Sequence, residues 1–246
     1  MFAGIDEHGK AGDLYWFELP NGDRIPDVAS RFQPQGVHGP SEVIDPFTYH
    51  WSTAYWQRPA LRDLVIYEMH VGTFSPAGTF RGAIDQLDHV VNLGASAIQL
   101  MPVADFPGRF NWGYDGVALF APSRSYGRPD DLRALIDAAH AKGLAVILDV
   151  VYNHTGPEGS YLSACTPNYF HHENKNTWGT GFNLDQAESG PVREFILQNV
   201  AYWFDEFRID GVRADATHAI VDKSEPHILR EISNLAHERG GFVIAE

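Results

Sequence analysis

The sequence predicts an α/β protein built on a parallel sheet, with a small β-rich portion ahead of it. Three observations carry this. From about residue 62 strand-like and helix-like patterns alternate. The strand candidates are apolar on both faces, as strands covered by helices must be. After the first of them stands "VGTFSPAG", not the G-x-G-x-x-G turn that a doubly wound dinucleotide fold requires.

Residues 1–55 read differently from the rest. "GDLYWFELPNGDRIPDVASR" holds short strand-like patches punctuated by Gly, Pro, Asn and Asp, with "NGD" as a turn. This portion falls short of the ~100 residues of a complete β-sandwich, and "RFQPQGVHGPSEVIDP" reads as a connector. Residues 56–246 then alternate. "DLVIYEMHV" (63–71) is a strand, and 79–94 a helix with Thr79 as cap and Gly94 as stop. "ASAIQLMPV" (95–103) is the second strand, followed by a long loop to Arg128. Residues 129–143 form a helix with Pro129 in the first turn and Gly143 after the last. "LAVILDVVYNH" (144–154) is the third strand, and 155–188 a second long loop. In the helix 190–207, Val192, Phe195, Ile196, Val200, Trp203, Phe204 and Phe207 make one apolar face. Residues 208–216 are the fourth strand, 224–241 a helix capped by Ser224, and "FVIAE" (242–246) the fifth strand.

Of the 246 residues, 44% are hydrophobic and 13% aromatic, enough for a substantial core and for stacking on sugars. The net charge of −14 argues against nucleic acid or an anionic membrane as partner. The single Cys165 excludes an internal disulfide. No apolar run reaches the ~18 residues of a membrane span. "MFAGIDEHGK" does not read as a signal peptide, so the sequon at Asn153 carries little weight and a cytoplasmic location is expected.

In parallel α/β sheets function gathers at the C-terminal strand ends. Here those ends carry Met69-His70, Asp149 to His154, Arg213 to Asp215, and Glu246. Asp215 and Glu246 close successive strands, and two carboxyl groups facing one cleft suit nucleophile and acid in glycosidic bond cleavage. A lone Asp or Glu at a strand end is more often a helix cap or an ion-pair partner than a catalyst. Arg213, two residues before Asp215, points to the same side of its strand and would keep that carboxylate ionised. Glu246 needs the opposite, a raised pKa, to donate a proton. In "NWGYDG" (111–116), Trp112 and Tyr114 could stack on sugar rings or simply pack a turn. His171 and His172 lack a third ligand at a recognisable spacing and read as a polar loop; no metal site is expected.

"DVVYNH" (149–154), "GVRADATH" (211–218) and the terminal "IAE" resemble three conserved regions of the α-amylase superfamily of retaining glycoside hydrolases. "YEMHVGTFSPAGTF" (67–80), "QLMPVADFPGRFNWGYDG" (99–116) and "DATHAIVDKSEPHILREI" (215–232) are similar to its malto-oligosyltrehalose trehalohydrolase branch. The resemblance implies a (β/α)8 TIM-type barrel, with about five strands present, preceded by the end of an N-terminal β-sandwich. It implies Asp215 as nucleophile, Glu246 as general acid/base and Arg213 as orienting arginine. His154, Asp149, Tyr114, Trp112, Asp115 and His218 are the implied substrate-binding set. The implied substrate is malto-oligosyltrehalose or a related α-glucan, cleaved with retention and without an organic cofactor; branching or debranching enzymes and a non-catalytic glucan binder are the alternatives. The family's third carboxylate has no counterpart here. The chain is therefore expected to be a fragment cut at both ends and inactive alone.

Overall fold

A computed structural model describes residues 6–176 and 178–246. The first five residues, where the absence of a leader was read, lie outside the described part. Four two-residue strands come first: β1 (Leu14–Tyr15), β2 (Phe17–Glu18), β3 (Arg24–Ile25) and β4 (Ser41–Glu42). They pair antiparallel as β1 with β4 and β2 with β3.

The body is a parallel sheet of β5 (Ile66–Met69), β6 (Ala97–Leu100), β9 (Ala145–Val150), β12 (Gly211–Ala214) and β13 (Phe242–Ala245). Spatial order follows chain order, β5-β6-β9-β12-β13, with α-helical connections between neighbours. Between β5 and β6 run the short helices α1 (Val71–Phe74), α2 (Phe80–Ile84) and α3 (Leu87–Asn92). The sequence reads one helix over 79–94. The chain instead tightens into three-residue bonds, from Gln86 N–H to the Ala83 carbonyl and from His89 N–H to that of Gln86, which splits it. Thr79 does cap, accepting from Gly82 N–H, and Gly94 ends the segment at φ +83°.

Each long loop holds a hairpin invisible to periodicity: β7 (Ala104–Asp105) with β8 (Ala118–Pro122), and β10 (Phe170–Asn176) with β11 (Gly179–Phe182). Helix α4 (Pro129–Ala141) precedes β9, the short α5 (Leu162–Cys165) precedes β10, and α6 (Ser189–Phe207) precedes β12. On α6, Val192, Ile196, Val200, Trp203, Phe204 and Phe207 are buried, while Phe195 packs edge-on against Phe120. Helix α7 (Ile228–Glu238) starts four residues later than the sequence suggests. Asp222 accepts from Ser224 N–H and Ile228 N–H, and His227 Nδ1 accepts from Leu229 N–H. Ser224 is therefore no cap; its hydroxyl donates to the Leu184 carbonyl. Carboxylates are the stronger acceptors for exposed first-turn amides.

All six residues of β9 are buried: Val146, Leu148 and Val150 join the core shared with the helices, while Ala145 and Ile147 pack on the other face with Ala97 and Phe242. At the N-terminal strand ends, opposite the cleft described below, the fully buried Asp210 gathers the connector. It accepts from Val146 N–H (2.7 Å), His140 Nε2 (2.9 Å) and Trp56 Nε1 (2.7 Å), and Arg58 Nε lies 3.3 Å away. Trp56 also stacks on His140 at 4.3 Å. Asp210→Ala strands three buried donors at once and is expected to cost about 3–5 kcal/mol. Urea denaturation of the two proteins checks this.

Candidate active site

The strand register places the ionisable groups. Arg213 on β12 pairs with Asp149 on β9, so a cation and a carboxylate are neighbours at the C-terminal end of the sheet. Two residues on, Asp215 falls on the same side as Arg213. Glu246 follows β13, the next strand out. One guanidinium serves all three carboxylates: Arg213 Nη1 donates to Asp149 Oδ2 (2.8 Å) and Asp215 Oδ1 (2.7 Å), and Nη2 lies 3.3 Å from Glu246 Oε2. The same Glu246 oxygen accepts from Ala216 N–H at 2.8 Å. Ala216 adopts φ +43°, a left-handed conformation costly for a residue with a Cβ. That bend turns its amide toward Glu246, directly after Asp215.

Asp149 is 2% exposed and receives its second bond from the Tyr114 hydroxyl (3.1 Å) on the same oxygen; its Oδ1 has no partner among the described residues. Burial pushes the Asp149 carboxyl up to about 7, against the pull of Arg213, whose charge is shared with Asp215. Burial and the facing Asp149 carboxylate likewise raise the Tyr114 hydroxyl, keeping it a donor. The sign of the linkage follows from a folded pKa above the ordinary value of 3.8. Asp149 favours the folded state below pH ~4 and loses that contribution as pH rises through ~7. Stability is expected to fall across this window by up to about 1.4 kcal/mol per pH unit. Asp149→Asn flattens that slope in urea denaturation repeated from pH 4 to 8.

His154, buried at the end of the β9 segment, lies 3.0 Å through Nε2 from the Tyr114 carbonyl, while Nδ1 meets Asn153 Oδ1. Burial lowers its pKa, opposed by the Tyr114 carbonyl and the charges of Asp215 and Asp115. Asn153 is a site residue that sequence reasoning missed. Its Nδ2 donates to the Asp215 carbonyl (3.0 Å) and to Asp215 Oδ2 (3.1 Å), so one side chain ties Asp215 to His154. The signal available was its place between two residues already singled out.

Of these groups Tyr114, His154, Asp215, Ala216 and Glu246 line a cleft of ≈1010 Å³, while Asp149, Asn153 and Arg213 are not part of its lining. Trp112, Asp115 and His218 line it without joining the Arg213 cluster. Trp112 is 78% exposed, Asp115 accepts from Asn111 Nδ2 (3.2 Å), and His218 projects from the 3-10 turn Thr217–Ala219. Trp178, at the start of the β11 segment, brings its ring to 6.5 Å from that of His154. No periodic signal marks it, because its place depends on how the 170–182 hairpin folds back. His171 faces Asp185 at 3.5 Å, and the side chain of His172 lies outside the described part. Among the described residues no three His, Cys, Asp or Glu side chains group as metal ligands, and no helix is long and apolar enough to cross a membrane.

The chain is similar to several known proteins. Residues 68–180 match the family described as alpha amylase, catalytic domain. A malto-oligosyltrehalose trehalohydrolase of Saccharolobus solfataricus is 51% identical over 96% of this chain and 42% of its own. A solved structure of a Salmonella typhimurium protein described as an alpha amylase superposes with a TM-score of 0.92 at 43% identity, over 100% of this chain and 43% of its own. Pullulanase type I of Bacillus subtilis, solved with maltose, gives 0.79 at 25% identity, over 92% and 37%. The chain thus spans about two fifths of the length of the curated relatives it matches. The five-stranded parallel sheet with its helices is accordingly part of a TIM-barrel-type fold, and residues 68–180 are similar to the catalytic domain of alpha amylase.

Proposed function

We propose that this chain carries the nucleophile and the general acid/base of a retaining α-glycoside hydrolase. Its substrate is malto-oligosyltrehalose, cut at the α-1,4 bond next to the terminal trehalose, with release of trehalose. The observation that carries the chemistry is the Arg213 guanidinium, bonded to Asp215 and Asp149 and 3.3 Å from Glu246, with Asp215 and Glu246 lining the cleft. The substrate rests on the 51% identity to an enzyme of that name over nearly all of this chain.

Asp215 Oδ attacks the anomeric carbon as Glu246 gives its proton to the departing glycosidic oxygen. A covalent glycosyl ester and free trehalose result. Glu246, now a carboxylate, then takes a proton from water; the hydroxyl adds to the anomeric carbon and Asp215 leaves. Arg213 holds Asp215 through its Oδ1, and Asn153 orients it through its Oδ2. Tyr114 and His154 present an aromatic face and a polar edge to the sugar being cleaved, with Trp112, Asp115 and His218 on the cleft walls. Residues 56–246 in this reading are the N-terminal part of the barrel, and residues 1–55 the end of a β-sandwich.

The test is incubation of the full-length protein with a trehalose-capped malto-oligomer. Free trehalose and a reducing-end product of retained α configuration are expected. Branched glucan without trehalose would instead identify a branching enzyme. The 246 residues alone are expected to release no trehalose. Their sheet has β5 and β13 as edges, and the Glu246 side chain is half exposed, so neither the sheet nor the acid's surroundings is closed.

A further inference from the structure

His70 stands apart from the Arg213 cluster. It follows β5 and lines the same cleft. Its Nε2 is 2.7 Å from the Asn111 carbonyl oxygen and 3.2 Å from the Tyr126 hydroxyl. A carbonyl only accepts, so Nε2 carries the ring proton. Nδ1 is then left to accept from the Thr73 hydroxyl, 3.3 Å away. Packing leaves the ring little freedom. Tyr126 stands edge-on to it at 5.9 Å, and a Cβ on Gly72 would come within 2.9 Å of His70 Cε1.

The carbonyl that His70 grips belongs to the hub of a turn. Asn111 Oδ1 accepts from the amides of Gly113 and Asp115, and Nδ2 donates to Asp115 Oδ2. Gly113 sits at φ +108°, where a Cβ would lie 2.4 Å from the Pro102 carbonyl, so only glycine fits there. This turn presents Trp112, Tyr114 and Asp115 to the cleft. One side is fastened at the end of β9, through the Tyr114 hydroxyl to Asp149 and the Tyr114 carbonyl to His154. The other is fastened at the end of β5, through Asn111 to His70. Trp112, 78% exposed, has little else to fix it.

We propose that His70 is a positioning residue for glucan binding: its Nε2–H, by holding the Asn111 carbonyl, sets the 111–115 turn so that Trp112 and Asp115 meet the sugar. The inference rests on the reading of the cleft as an α-glucan site. It makes the hydrogen-bond donor, rather than the bulk of the ring, the functional property. A glutamine can place an N–H at similar reach; a phenylalanine keeps the ring against Tyr126 and has no donor.

The experiment compares His70→Gln and His70→Phe in the full-length protein, with two readouts. One is hydrogen exchange at the Gly113 and Asp115 amides; the other is maltotriose affinity by calorimetry. H70F is expected to speed exchange about tenfold and weaken maltotriose binding about tenfold, the effect of one lost hydrogen bond. H70Q is expected to stay within about twofold of the unsubstituted protein in both. Should H70F fail to fold, H70L is read in its place. Unchanged exchange in the donorless variant overturns the proposal. So does faster exchange with unaltered affinity, or a glutamine variant as impaired as the phenylalanine one. Absence of maltotriose binding by the unsubstituted protein would fell the glucan reading instead, while the exchange data still decide whether His70 holds the turn.

Discussion

Asp215→Asn in the full-length protein is expected to lower kcat for trehalose release by ~10⁴-fold or more, with the melting temperature little changed. Asparagine keeps the shape and can accept from Arg213 Nη1, now 2.7 Å from Asp215 Oδ1, but cannot attack the anomeric carbon. The loss therefore belongs to bond-making and not to folding. KM is expected to move far less than kcat, because in the proposed reading the sugar is held by residues around Asp215: Tyr114, His154 and the cleft wall. A variant retaining a tenth of the activity would remove Asp215 from the role of nucleophile. Single-turnover kinetics on the trehalose-capped substrate provide the measurement.

Arg213→Leu strikes stability and chemistry together. It removes the cation that, among the described residues, faces Asp149, Asp215 and Glu246, and Asp149 is fully enclosed. Breaking a buried pair from one side costs about 3–5 kcal/mol, because the remaining charge is left without a partner. Adding Asp149→Asn should recover part of that loss, since a neutral amide has no charge to strand. Urea denaturation of the single and double variants closes the cycle. Additive losses would mean that the two side chains do not share an interaction, contrary to their 2.8 Å contact. Arg213→Lys is not a mild alternative, because one ammonium cannot donate along the two directions that the guanidinium spans.

Much of this site was legible in advance because of where it stands. Asp149, Arg213, Asp215 and Glu246 lie at or just past the ends of apolar strands, where a parallel sheet gathers its polar groups. A spacing of two fixes Arg213 and Asp215 to one side of β12 whatever the rest of the fold does. The helix signals at Thr79, Gly94, Pro129 and Gly143 held because a cap or a left-handed glycine is a local property of backbone sterics. The readings that failed were those in which a local candidate met a stronger remote one. Ser224 lost its capping place to Asp222 and His227, and the 79–94 helix broke where three-residue bonds replaced four-residue ones.

Asn153 shows the other limit. Its neighbours in sequence mark it, yet its two bonds to Asp215 cross 62 residues of chain. Trp178 reaches His154 only once the 170–182 hairpin has folded back. His70 gains its meaning from Asn111, 41 residues away.

The sequence by itself determined the alternation of strand and helix, the parallel sheet, and the set of chemical groups at its C-terminal edge. Those follow from periodicity and side-chain direction, which act over a few residues. The tertiary structure alone decided that three carboxylates share one guanidinium, that Asp149 is dry enough for its carboxyl to titrate near 7, and that the 111–115 turn is fastened between two strand ends. Charge sharing and desolvation depend on distance and enclosure in three dimensions, and neither is written in the order of residues along the chain.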